Sequence, residues 1–274
     1  MHFEVVDRQR PYTLEDLLEI MHIMRGCHGC AWTQAQTFGS LTPHIIEEAY
    51  ELVDAIESGD KMQIKAELAD ILNQIVFYAS IAEEKQYFNF AEIIDYLAEK
   101  LIRRHPDVFA DGEVMDYQEL EVQWQQIKKK ERRQKNQNDD SILADIAKTM
   151  PAVSIANKLQ TRAASVNFDW SRIDDVMAQL RNEIVEFEEA LVRNDREHAV
   201  EELGDLMFCC VNLSRHLKAD PEQVLRAANH KFERRFRLME KIAKLEGKKL
   251  EHCSDDEFQS LWNQAKLWSQ QSTR

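Results

Sequence analysis

Two acidic strings of identical spacing recur in this chain at an offset of 135 positions: Glu48-x-x-Glu51 with Glu67-x-x-Asp70, and Glu183-x-x-Glu186 with Glu202-x-x-Asp205. Carboxylates three apart on a helix share one face, with Cβ atoms roughly 5–6 Å apart. The first quartet is symmetric about Gly59 and the second about Asn194. Each centre tolerates a left-handed turn and is followed by a favoured N-cap, Asp60 or Asp195. The spacing therefore predicts two αα-hairpins. Antiparallel packing brings Glu48 level with Asp70 and Glu51 level with Glu67, and repeats the arrangement with Glu183, Asp205, Glu186 and Glu202.

Four converging carboxylates call for a cation, since two like charges about 5 Å apart repel by roughly 3 kcal/mol at an effective dielectric of 20. Oxygen ligands without paired His or Cys suit Mg²⁺, with Mn²⁺ as a substitute. Carboxylate-bridged di-iron bundles use Glu-x-x-His on two helices. Here Glu19 to His22 is the single such pair, outside both hairpins. A solvated acidic face is the bland alternative. Acidic residues fill 49 of 274 positions, so one four-position template matches by chance about once in a thousand starts. Two matches, each centred on a helix-stop and helix-start pair, point to a built site.

The repeat continues beyond the acids. Lys100-x-x-x-Arg104 corresponds to Lys231-x-x-x-Arg235, and Trp124-x-x-x-Lys128 to Trp262-x-x-x-Lys266. Lys and Arg four apart share a helix face and repel mildly unless an anion lies between them. They fit a phosphate-binding role, or ordinary basicity near a helix end. Trp124, Trp170 and Trp262 can stack on a base or simply pack.

Seven Gly and five Pro in 274 residues leave little room for turn-rich β structure, so the expected fold is all-α. Thr13-Leu-Glu-Asp16, Thr42-Pro43, Asn89-Phe-Ala-Glu92, Asp220-Pro221 and Ser254-Asp-Asp-Glu257 read as helix starts. A loop is expected through Trp32, Gln36 and Phe38, and a helix over about 142–164. A helix is expected over about 116–134, and the charged stretch Lys128 to Asp140 predicts a linker that begins inside it, dividing the chain into domains 1–135 and 136–274. A formal charge of −14 argues against a nucleic-acid scaffold. The absence of a signal pattern or a bilayer-length apolar run predicts a cytoplasmic protein without membrane contact. Five cysteines do not make a disulfide framework. Cys27-His28-Gly29-Cys30 lacks a second ligand pair for zinc beyond guesses such as His22 or His44, and Cys209 and Cys210 read as core.

At this point the residues resemble a known family, the MazG-type nucleoside triphosphate pyrophosphohydrolases, over nearly the whole chain and in tandem two-domain form. The family's Glu-Glu-x-x-Glu … Glu-x-x-Asp motif stands here as Glu47-Glu48-Ala-Tyr-Glu51 … Glu67-Leu-Ala-Asp70 and as Asn182-Glu183-Ile-Val-Glu186 … Glu202-Leu-Gly-Asp205. The strings Lys100 to Phe109, Asn229 to Phe236 and Val166-Asn-Phe-Asp-Trp170 are also similar to family strings. The resemblance implies two all-α MazG-like domains that dimerise into helix bundles. It implies Mg²⁺-dependent cleavage of a nucleoside triphosphate to monophosphate and pyrophosphate, as house-cleaning of the nucleotide pool. The motif acids, Glu47 included, would hold metal, and Glu48, Glu51, Glu183, Glu186, Glu202 and Asp205 would carry the chemistry. The basic and tryptophan positions of both halves would contact substrate. Asn182 replaces the leading Glu of the second motif, and Cys30-Ala31-Trp32-Thr33 departs from the family's common Cys-Pro-Trp-Asp. The expectation is that both halves bind metal and the second turns substrate over. A dUTP- or dCTP-directed pyrophosphatase and a non-catalytic nucleotide-sensing or dimerising module are the competing readings.

Overall fold

The computed structural model describes residues 11–109, 116–135, 139 and 141–271, and among them there are twelve α-helices, a short 3₁₀ helix and no strand. The chain forms two compact units, Met1–Ile127 and Lys128–Arg274.

In the first unit, α1 (Leu14–Arg25) opens on a capping box: the Thr13 hydroxyl accepts the Asp16 N–H, and the Asp16 carboxylate accepts the Thr13 N–H at 2.8 Å. Helix α2 (Ala31–Ala35) leads into α3 (Thr42–Ser58), which carries Pro43 in its first turn where a missing N–H costs nothing. Gly59 takes φ 73°, a left-handed conformation that favours glycine, and the Asp60 carboxylate accepts the N–H groups of Met62 and Gln63 to start α4 (Lys61–Glu84). Asn89 and Glu92 form a second capping box for α5 (Phe90–Arg104), followed by the single turn α6 (Pro106–Phe109), and α7 (Tyr117–Lys135) contains the boundary between the units. Helix α4 packs against α3, α1 and α5. Met21, Leu41, Val76, Phe77 and Ile81 form the buried core beneath these helices.

The second unit contains α8 (Ala152–Ala164), α9 (Ile173–Val192), α10 (Arg196–His216), α11 (Pro221–Leu245) and α12 (Asp255–Gln271). Asn194 turns the chain at φ 57°, and Asp195 caps α10 through the His198 N–H at 3.2 Å. Asp220 caps α11, with Pro221 as its first residue. A 3₁₀ turn at Leu250–His252 precedes α12, whose start is a reciprocal Ser254–Glu257 pair. Helix α8 packs on α10 and α11, and α11 pairs with α12 around Met239, Ile242, Ala243, Leu261 and Ala265.

The structure departs from the sequence reading in two places. The loop expected through Trp32 contains α2, whose residue Thr33 is buried and bonds to the carbonyls of Met24 and Cys30 at 2.7 and 2.8 Å. The helix expected from 142 begins at Ala152, because Pro151 disfavours α geometry in the residue before it and Asp145 sits at φ 63°. Helix α7 ends at Lys135, inside the stretch in which the linker is expected to begin, and positions 136–138 and 140 lie outside the described residues.

Candidate metal centres

Each hairpin gathers its acids. Oxygens of Glu48, Glu67 and Asp70 lie within 4.8 Å of one another, as do oxygens of Glu183, Glu202 and Asp205. Burial, then the charges of Asp70, Glu51, Glu67 and Glu47, push the Glu48 carboxyl above its ordinary 4.5. Burial followed by Glu51 and Asp70 raises Glu67. In the second hairpin, burial followed by Glu186 raises Glu202, with Glu183 and Asp205 adding and His198 opposing. Glu51 and Glu186 thus stand outside the two triads but within electrostatic reach of them.

The centres are not copies in detail. Glu202 is 6% exposed, its Oε1 lies 3.4 Å from Nδ1 of His198, and its Oε2 has no hydrogen-bond partner among the described residues. Such a buried, orphaned carboxylate oxygen costs free energy unless something positive meets it. Glu48 and Glu67 in the first centre are only half-buried. Gln179 donates from Nε2 to Glu183 Oε1 at 2.5 Å. One helical turn before the leading acids stand His44 and Gln179, and one turn before the following acids stand Gln63 and His198. His and Gln have exchanged places between the halves. Glu47, beside His44 at 3.8 Å, has as its counterpart the exposed Asn182. Sequence reasoning missed Gln179 and His198. The four-residue spacing used for the basic pairs would have found both.

The remaining candidates lie on other helices. Lys100 and Arg104 are half-buried on α5, and on α7 Trp124 is 40% exposed while Lys128 is half-buried. Lys231 is exposed on α11, whereas Arg235 is half-buried with its Nε 3.5 Å from Ser269 Oγ on α12. Trp262 packs on the α11–α12 core, its ring centroid 5.4 Å from that of Phe232 and 6.0 Å from Lys266 Nζ. Phe232, Phe236, Phe258 and Trp262 line an open cleft of about 280 Å³ between these helices. Trp170 is half-exposed on a loop held by Asp169, which accepts from Arg215 and approaches His216 at 3.6 Å.

The cysteines need one correction. Cys209 is half-buried, and burial together with Glu183, Cys210 and Asp205 pushes its thiol up to about 11, while Cys210 is exposed. Consecutive helical residues diverge by about 100°, so both could not enter one core. Cys27 and Cys30 are exposed and free.

These observations define a class: a helical protein carrying two hairpin carboxylate centres suited to a hard divalent cation. The profile of the MazG nucleotide pyrophosphohydrolase domain matches residues 36–109 and 172–238, which contain the two hairpins. The chain is 41% identical over 256 residues to the nucleoside triphosphate pyrophosphohydrolase of Escherichia coli K12, covering 92% of this chain and 97% of that protein. It is 40% identical over 252 residues to the nucleoside triphosphate pyrophosphohydrolase/pyrophosphatase MazG of Thermotoga maritima, covering 92% and 95%. It is also 40% identical over 248 residues to the uncharacterized protein YabN of Bacillus subtilis, covering 90% of this chain and 50% of that one. The chain belongs to the MazG family of nucleotide pyrophosphohydrolases.

Proposed function

We propose that this protein hydrolyses nucleoside triphosphates between the α- and β-phosphates, releasing a nucleoside monophosphate and pyrophosphate, with Mg²⁺ as its ion and Mn²⁺ as a substitute. The names of the E. coli and T. maritima relatives support the reaction. The observation that carries it on this chain is the paired carboxylate triads, the second of which includes Glu202 with its buried, orphaned Oε2. The donor set fits: all oxygen, negatively charged and already clustered. Glu48, Glu67 and Asp70 would hold one ion with Glu47 alongside, and Glu183, Glu202 and Asp205 another. When bound, the ion supplies charge neutralisation at the phosphates and acidifies water.

The chain's own groups do the rest. Glu186, and Glu51 in the first half, stand beside the triads and would accept the proton of the attacking water at a carboxylate oxygen. Gln179 fixes the Glu183 carboxylate. Lys231 and Arg235 would hold the departing pyrophosphate, with Lys100, Arg104 and Lys128 as their first-half counterparts and Lys266 beside the base. Trp262, with Trp124 and Trp170 as alternatives, would stack on the base. The second half is assigned the turnover.

A homodimer completes the reading. Ile46, Tyr50, Leu68 and Leu72 on the first hairpin, and Ile184, Val185, Leu203 and Met207 on the second, are each more than a third exposed. Apolar residues in that number on hairpin faces fit a surface that a second copy covers. No helix of the described residues is long and apolar enough to cross a membrane.

The test is a panel of triphosphates, dUTP and dCTP included, assayed with Mg²⁺ for monophosphate and pyrophosphate, using the wild type, Glu51→Gln and Glu186→Gln. Loss of a general base costs about 10²–10⁴-fold. That loss is expected in Glu186→Gln, with a smaller one in Glu51→Gln. Diphosphate and orthophosphate as products would refute the reaction, and nucleotide affinity without product would make the chain a sensor. The reverse order of losses would move turnover to the first half.

A further inference from the structure

The turn between α1 and α2 carries two thiols that the hydrolytic chemistry does not use. The chain between Cys27 and Cys30 is tightly wound: the Gly29 N–H donates to the Gly26 carbonyl at 2.8 Å, and the Cys30 N–H reaches back to the Met24 carbonyl at 2.8 Å. A Cβ on Gly29 would fall 2.1 Å from the Met24 carbonyl oxygen, so this approach needs glycine. Both sides of the turn are fastened. The Thr33 hydroxyl donates to Met24 and Cys30 carbonyls, the Gln34 side chain donates to the Gly26 carbonyl, and Arg25 bridges the Thr33 carbonyl and Glu84 of α4. Two exposed thiols three positions apart therefore share one tightly wound segment, Cys27 inside the Gly26–Gly29 reverse turn and Cys30 directly after it, with the sequence spacing of Cys-x-x-Cys pairs that interconvert between dithiol and disulfide.

The thiols are also chemically unequal. N–H groups of Thr33 and Trp32, with the Thr33 hydroxyl, hold the Cys30 thiol below its ordinary 9.0. A larger thiolate share marks Cys30 as the attacking sulfur and Cys27 as the resolving one. Zinc is the rival occupant. It needs about four ligands, and among the described residues the groups of three or more metal-capable side chains are the two carboxylate triads.

We propose that Cys27 and Cys30 form a reversible disulfide by exchange with a low-molecular-weight disulfide. The Cys30 thiolate attacks one sulfur of that molecule, breaking its S–S bond and expelling one thiolate. The Cys27 thiolate then attacks Cys30 Sγ in the mixed disulfide and expels the second. The protein thiols lose two electrons and two protons, and the small disulfide is reduced to two thiols. The closed bond staples a turn whose neighbour Trp32 meets the rings of His44 and Phe77, each with centroids at 6.3 Å, so the first hairpin lies next to the modified segment.

The full-length protein is incubated with oxidised glutathione, alkylated without reduction, digested and weighed by mass spectrometry, with exposed Cys210 as internal comparison. The peptide carrying both cysteines is expected to lose two hydrogens and resist alkylation until a reductant is added. Cys27→Ser should trap a glutathione adduct on Cys30, and in Cys30→Ser the adduct on Cys27 should form more slowly. Separate adducts on both cysteines, or alkylation of both at the rate of Cys210, would overturn the proposal. So would stoichiometric zinc that copurifies with the chain and leaves only when both thiols react.

Discussion

The raised carboxyls of the two centres make a prediction whose sign reverses when metal is added. Glu48, Glu67 and Glu202 all titrate above their ordinary 4.5 in the folded chain without metal. A carboxyl raised on folding binds its proton more tightly in the native state than in the unfolded one. Its stabilising contribution is then complete below about 4.5 and disappears as pH climbs through the folded value. The depressed carboxyls Glu84 and Asp169, each paired with an arginine, act in the opposite sense, but their contribution is complete above the ordinary range and fades only in acid. Between about pH 4.5 and neutrality, therefore, the metal-free protein is expected to lose stability as pH rises.

A divalent cation inverts this, because it binds the ionised oxygens and competes with protons. At a hundredfold excess over its dissociation constant a bound ion adds about 2.7 kcal/mol, and for a unit of this size each kcal/mol moves the midpoint by several degrees, so Mg²⁺ should raise Tm by about 10 °C. The assay is calorimetric melting from pH 4.5 to 7.5 in chelator and in saturating Mg²⁺. The gap between the curves is expected to open with pH. Glu202→Gln should flatten the metal-free slope and shrink the metal shift of the second unit while leaving that of the first. A metal-free Tm that climbs with pH, or a full metal shift in the double variant Glu67→Gln/Glu202→Gln, would refute the argument.

Other outcomes follow from single contacts. Leu261→Ala, at a site 1% exposed in the α11–α12 core, is expected to cost about 2–5 kcal/mol in chemical denaturation. Gly59→Ala places a side chain at φ 73° with open space around it, so it should cost about 1–2 kcal/mol of strain and no clash, read as a lower denaturation midpoint without loss of helical circular dichroism. Gln179→Ala removes the hydrogen bond that fixes Glu183 and should weaken Mg²⁺ binding about 10–100-fold by titration calorimetry, while Gln179→His retains part of it.

The parts of the fold readable in the sequence were those fixed by neighbours in the chain. Gly59 with Asp60, Asn194 with Asp195, the Asn89–Glu92 box and Asp220 with Pro221 each satisfy helix-end N–H or C=O groups locally, and each marks an observed boundary. The convergence of the acids followed because a symmetric spacing about a tight reversal leaves one antiparallel register. What escaped depends on distant partners. Helix α2 exists through Thr33 and the Arg25 contact, and Arg25 is itself anchored to Glu84, far along the chain. The unequal burial of Glu202 and Glu48 cannot be seen in two motifs that read almost alike, because it reflects how each hairpin is covered by its own unit.

That inequality bears on how the halves divide their work. The first centre keeps Glu47 and places its acids where water reaches them, so its extra charge draws cations but also leaves them screened. The second gives up one acid at Asn182 and sinks Glu202 beneath the surface, where field strength per charge is greater and its Oε2 has no hydrogen-bond partner among the described residues. Stabilisation of charge that develops during a reaction depends on fixed groups in a medium that cannot rearrange to oppose them. By that criterion the buried Glu202 is what favours the proposed assignment of turnover to the second half, since Glu183 and Asp205 are as accessible as Glu48 and Asp70. Gln179 on Glu183 and His198 beside Glu202 supply the holding, and in the first half the exchange of His and Gln leaves His44 near Glu47, outside the triad.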